Sequence, residues 1–292
     1  MLGRTIHNYQ IVDRLGSGSM GAVYRARDTS LELDVAVKNL PEDVAADPQA
    51  FARFKRQVRA AMSLNHPNIC AINTVLTENG QWFIIMELLE GQTLQGLLAR
   101  ATREVGATDT WTRPPLDVLT FFRLAIQIAE ALIAADTKQL IHGGIKPANI
   151  IVTRRGDAKI MDYGLANLPG AAASSLPTGT VAYMSPEQVN GEEMDPRADL
   201  FSFGTVLYEM GTGRKAFTGV NADATLTAIL EQQPPRPCEL TRELPEELDR
   251  IITKAMEKDR NLRYQNASEI LRDLERLRTV TDSWRHGPIL GG

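Results

Sequence analysis

The sequence predicts an α+β chain folded in two lobes, a small β-rich lobe with one main helix and a larger helical lobe. Three observations predict it. Residues 1 to about 86 hold most of the alternating runs rich in Val, Ile and Tyr. From about residue 92 to 280 the apolar spacing turns helical. Between them, "ELLEG" (Glu87–Gly91) closes the last strand-like run and reads as a hinge. Residues 281–292 read as a short C-terminal tail.

In the first lobe "YQIVDRL", "AVYRARD" and "DVAVKNL" read as strands, with a glycine-rich turn after the first. Pro48–Leu64 places Phe51, Phe54, Val58 and Ala61 on one helical face, and Pro67 follows its end. "CAINTVL" and "WFIIMEL" form a strand pair around the turn "ENGQ". In the second lobe Thr93–Thr102 and Leu116–Thr137 are helical by pattern. "IIVTRRGDAKIMD" reads as two short strands, and Ala267–Leu277 as a final helix with one solvent-facing side. "REVGATDTWTRPP" reads as a surface insertion and "PGAAASSLPTGT" as a mobile loop.

The 292 residues suffice for a substantial core, and 43% hydrophobic with 23% charged residues marks a globular chain. A net charge of −4 argues against nucleic acid as a partner. The most apolar stretch, Leu119–Ala135, is interrupted by Arg123, Gln127 and Glu130, so no membrane segment is expected. Cys70 and Cys238 lie far apart, without metal-type spacing. Reduced thiols and a cytoplasmic location are the expectation.

"LGSGSMGAVY" sets Gly16, Gly18 and Gly21 in G-x-G-x-x-G spacing. Glycine allows backbone to approach phosphate oxygens closely. A strand follows instead of a helix, which argues against a dinucleotide fold. "VAVK" puts Lys38 on the third strand, as a cation for phosphates. Lys146 and Asn149 lie in "KPAN", and Asp162 opens "DYG". A carboxylate and an amide oxygen suit a hard Mg²⁺ ion. Any one of these arises by chance; together and in this order they point to a nucleotide and its metal.

In this order the motifs resemble the catalytic domain of bacterial-type Ser/Thr protein kinases over nearly the whole chain. "HPNI", "GTVAYMSPEQ", "DLFSFGTVLYEMGTG" and "DRNLRY" extend the likeness. The resemblance implies the two-lobed kinase fold and the cofactors ATP and Mg²⁺. It also implies that Val23 and Ala36 roof the adenine and Ile151 floors it. Met86 would be the gatekeeper, with Glu87 and Leu88 at the hinge. Lys146 and Thr180 match the Ser/Thr type, Glu187 would pair with Arg263, and Asp199 would anchor the loop backbone.

The loop "IHGGIKPAN" departs from that pattern. The resemblance places the acid-base aspartate at Gly144, and glycine cannot accept a hydroxyl proton. Gln57 stands where the family has the glutamate that pairs with the third-strand lysine, so that clamp is neutral and weaker. Lys38 is therefore expected to lean toward Asp162. Gly143 stands where an arginine commonly reads a phosphorylated loop, so modification of Ser174, Ser175 or Thr178 is not expected to activate by that route. Three functions remain open at this point: an ATP–Mg-binding pseudokinase that acts on a protein partner, a slow or unorthodox Ser/Thr kinase, and a nucleotide-free interaction module.

Overall fold

The computed structural model describes residues 1–18, 21–41, 48–105, 114–163, 165, 178–241 and 243–285. The tip of the glycine-rich turn, most of the expected insertion, Ser174 and Ser175 with most of their loop, and the chain beyond residue 285 lie outside the described residues.

The first lobe is one six-stranded antiparallel sheet in the order β1-β2-β3-β4-β6-β5. Its strands are β1 (Thr5–Ile6), β2 (Tyr9–Gly18), β3 (Gly21–Asp28), β4 (Leu33–Asn39), β5 (Ile72–Glu78) and β6 (Gln81–Glu87). The β5–β6 turn carries Asn79 and Gly80 at φ 52° and 78°, the pair that a tight two-residue hairpin favours. β4 is buried on both faces. Val35 and Val37 join Ile6, Ile11, Phe83 and Ile85 on one side. Ala36 points to the other, against Phe54 and Val58 of α1 (Pro48–Met62) and Met86 of β6. The period of two along β4 thus also turns Lys38 to the interlobe side.

The second lobe is helical, with α2 (Leu94–Val105), α3 (Val118–Asp136), the short α4 (Thr178–Val181) and α5 (Pro186–Val189), and α6 (Pro196–Thr212). They are followed by α7 (Ala222–Glu231), α8 (Pro237–Leu240), α9 (Glu246–Ala255) and α10 (Ala267–Arg285). A small sheet, β7 (Gly91–Thr93), β8 (Ile150–Thr153) and β9 (Ala158–Ile160), lies beneath the hinge. α6 is buried from Ala198 to Thr212 and forms the centre of the lobe. Asp195 caps its N-terminus by accepting from Arg197 N, and Gly213 in the left-handed region ends it.

Among the described residues, α3 has the length and hydropathy of a membrane span. Its interrupting polar residues have a structural use, since Gln127 donates to Asp157 (2.8 Å) and accepts from Ala158 N (2.8 Å). The apolar residues, Phe121, Phe122, Leu124 and Ile128 among them, are buried in the lobe's core. Both cysteines are free, and burial pushes the Cys70 thiol up to about 12.

Most elements fall within two or three residues of expectation. The clearest difference is α10, which runs to Arg285 instead of ending at Leu277. β5 starts at Ile72 instead of Cys70, because Cys70 N donates to Ile160 O across the lobes (2.9 Å).

Candidate functional site

The site lies between the lobes. Gly16 and Gly18 end β2, and a Cβ on either would meet nothing within 4 Å, so the backbone there is open to approach. Gly21 opens β3 at φ +105°, and a Cβ there would lie 1.8 Å from Asn39 O, which restricts the position to glycine. Ala36 and Met86 belong to one apolar cluster, with Val23 and Leu88 packed against it and Leu165 closing it. Ile151 sits half-buried on β8, in the other lobe.

The charged residues converge below this apolar wall. Lys38 Nζ lies 2.7 Å from Asp162 Oδ1, and the two side chains are 4% and 15% exposed. Among the described residues this carboxylate, not Gln57, is the bonded partner of Lys38. An anion in a cleft outcompetes a neutral amide for an ammonium. Asp162 itself holds φ +66°, an uncommon conformation for a residue with a side chain. Lys146 Nζ bonds Thr180 Oγ1 at 3.0 Å. Burial pushes the Lys146 ammonium down, Asp162 opposes that shift and Lys38 adds to it. These three groups therefore share one electrostatic neighbourhood. Asn149 Nδ2 donates to Gly144 O (2.9 Å), which commits the nitrogen end of the amide and leaves the oxygen end as an acceptor.

The loop from His142 to Asn149 is held from behind. Asp199 on α6 accepts from His142 N (2.7 Å) and Gly143 N (2.8 Å). Burial pushes the Asp199 carboxyl up, against the pull of His142 and the two N–H groups. His142 Nδ1 accepts from Gly144 N (3.1 Å), so Nε2 carries the proton and donates to Met161 O (2.7 Å). The His142 ring meets the Tyr163 ring edge-on, with centroids 4.7 Å apart. Gln188 Nε2 donates to Gly143 O (2.8 Å). Gly143 is at φ +67°, so a side chain there would carry strain of about 1 kcal/mol or more.

Below the loop, Arg263 clamps Glu187 with two bonds of 2.8 and 2.9 Å, as expected. Burial alone would raise the Glu187 carboxyl, but the Arg263 guanidinium holds it below the usual range.

Glu87, expected at the hinge, turns its side chain away from the cleft. Lys159 Nζ donates to both its oxygens, at 2.8 and 2.7 Å. Sequence reasoning missed Lys159 and also Gln188. Neither lies at a motif position that demands charge or amide chemistry, and their partners are 72 and 45 residues away.

A model of the protein kinase domain matches residues 9–274. The chain belongs to the protein kinase family. It is 37% identical over 276 residues to a probable serine/threonine-protein kinase of Streptomyces coelicolor, covering 91% of this chain and 39% of that protein. It is 36% identical over 282 residues to the serine/threonine-protein kinase PknB of Mycolicibacterium smegmatis, covering 92% of this chain and 43% of that one. The chain thus spans about two fifths of the length of these relatives. The kinase domain of PknI from Mycobacterium tuberculosis has the same two-lobed fold. Its TM-score is 0.73 at 23% identity, over 94% of this chain and 98% of that one.

Proposed function

We propose that this kinase-family domain binds ATP with Mg²⁺ and works as a pseudokinase, acting through shape on a protein partner. The observation that carries the reading is the loop tip. Asn149 and Gln188 hold the backbone of Gly144 and Gly143 in place, yet position 144 has no side chain to accept a proton. Nor is another carboxylate of the cleft free for that task among the described residues. Asp199 is turned to the back of the loop, and Asp162 is held by Lys38.

The residues fit the nucleotide and the metal. Gly16 and Gly18 offer open backbone, Lys38 and Lys146 offer ammonium groups, and Val23, Ala36, Met86, Leu88 and Ile151 offer apolar walls for a base. The backbone of Glu87 and Leu88 would face the edge of that base. Asp162 and the oxygen of Asn149 are hard ligands of the kind Mg²⁺ prefers, in a site too sparse to hold the ion without phosphate oxygens. Among the described residues no group of three or more His, Cys, Asp or Glu forms a self-contained metal site. The bound metal would neutralise charge on the phosphates. The chain's own residues would position the nucleotide, and among the described residues none would take the proton from an incoming hydroxyl.

A slow kinase is the competing reading, because phosphoryl transfer rests largely on positioning and electrostatics. General-base catalysis is worth about 10² to 10⁴-fold, so a rate reduced by that factor is the expected ceiling. The deciding experiment measures radiolabel transfer from ATP to a generic Ser/Thr substrate, beside a Gly144→Asp variant. Transfer by the starting protein that equals the variant's overturns the pseudokinase reading. A thermal-shift titration with ATP and Mg²⁺ tests the nucleotide site. An unchanged melting temperature at saturating ligand would leave the nucleotide-free interaction module as the better account.

A further inference from the structure

We infer that the cleft is a net-cationic polyphosphate site, able to hold free ATP without a divalent metal. The inference rests on the nucleotide reading above and concerns the charges that face the phosphates.

Among the described residues, three charged side chains face that space. Lys38 and Asp162 form one ion pair and cancel each other. Lys146 is the third, and the partner its ammonium has is the neutral hydroxyl of Thr180. The segment Gly16–Gly21 contains no charged residue. Asp199 is buried on the far side of the loop, bonded to backbone N–H groups. Glu87 is paired with Lys159 and faces away from the cleft. Position 144, where the family resemblance places an aspartate, holds glycine. Two ammonium groups therefore oppose one carboxylate.

This balance changes what the metal is needed for. With an acid at position 144, the cleft would be neutral overall, and a polyanion would rely on Mg²⁺ for net attraction. With glycine there, Lys146 shares Asp162 with Lys38 and has no carboxylate of its own, so it attracts phosphate directly. Lys38 can also turn from Asp162 to a phosphate oxygen, since both are anionic acceptors in reach of the same ammonium. A metal ion gains less, because it must take Asp162 from Lys38 before it is fully ligated. The site thus favours the nucleotide itself over the nucleotide–metal complex more than an acid-bearing cleft would.

The test is calorimetric titration of the full chain with ATP, once in EDTA and once in excess Mg²⁺, repeated for Gly144→Asp and Gly144→Asn. The asparagine variant adds the same bulk without charge. The expected result is binding in EDTA with a Kd within about tenfold of the Mg²⁺ value, weakened by added salt. Gly144→Asp should weaken metal-free binding by about tenfold, while Gly144→Asn stays near the starting value. Binding that requires Mg²⁺ would overturn the inference and leave the nucleotide site standing. Absence of binding in both buffers would remove the nucleotide site and the inference with it. Equal losses for the two variants would assign the effect to bulk, and would also overturn it.

Discussion

The loop from His142 to Asn149 has two sides that differ in what holds them. Its back is saturated with bonds from Asp199, Gln188, Met161 and its own His142. Its front offers Lys146 and Asn149 to the cleft but no carboxylate. At positions 143 and 144 the bonds use main-chain atoms, with no need for side chains there. The architecture of this loop is therefore separable from the side chains at positions 143 and 144.

The largest break in that comparison is expected at the back. Asp199→Ala removes a buried acceptor and strands two N–H groups, at a cost of about 3–5 kcal/mol. Urea denaturation measures it, and a loss under about 1 kcal/mol would mean that the back of the loop is not what holds it.

The front should respond in rate more than in stability. Gly144→Asp combined with Gln57→Glu and Gly143→Arg is expected to raise phosphate transfer about 100-fold, near 3 kcal/mol of barrier. Gly144→Asp and Gln57→Glu should gain more together than the sum of their separate gains, because both serve one transition state. Gly143→Arg alone should lower stability by about 1 kcal/mol, because φ +67° strains a residue with a Cβ. If initial rates show the triple variant inert while ATP binds, the chemistry was lost at other positions too.

A smaller effect sharpens the division further. Gln188→Ala removes one bond to Gly143 O and should cost about 1 kcal/mol in urea denaturation. It should leave ATP affinity unchanged by calorimetry. An equal loss in both would tie the two sides together after all.

The smallest effect is a slope with pH. The hydrogen bond from Arg197 does most to hold the Asp195 carboxyl at about 2, below the usual carboxylate range. A depressed folded pKa contributes stability that is present above about pH 4 and lost as pH falls toward 2. Asp195 caps α6, the helix that carries Asp199, so acid should loosen the back of the loop from a distance. Stability measured against pH should fall less steeply for Asp195→Asn over that range. Identical slopes would remove Asp195 from the account.

Much of this was legible in the sequence, for identifiable reasons. β4 reads from its alternation, which separates Val35 and Val37 from Ala36 and Lys38. The β5–β6 turn reads from Asn79-Gly80. Lys38, Asn149 and Asp162 read from short motifs in a fixed order, and the structure brings them to one cleft. The Lys38–Asp162 pair followed from charge, because Gln57 offers only a neutral acceptor. What stayed hidden was set by distant contacts. β7 has only three residues and exists by pairing with β8. The start of β5 is set by Cys70 bonding across the lobes. Past Leu277 the chain carries Thr279 and Val280, β-branched residues that weaken a helical pattern, yet α10 continues through them. Lys159 and Gln188 take their meaning from partners that no local pattern reveals.

The main-chain anchoring at positions 143 and 144 also bears on ancestry and reversal. A catalytic loop that depended on its own side chains for shape would be committed once those were gone. Here main-chain atoms hold positions 143 and 144, so on the proposed reading an acid could enter at position 144 without rebuilding the loop, and an arginine at 143 at the strain already noted. For suitable codons, glycine to aspartate, glycine to arginine and glutamine to glutamate are each a single-base change. On the proposed reading, the distance between this domain and a working phosphotransferase is measured in point mutations, with Asp199 holding the loop backbone at His142 and Gly143.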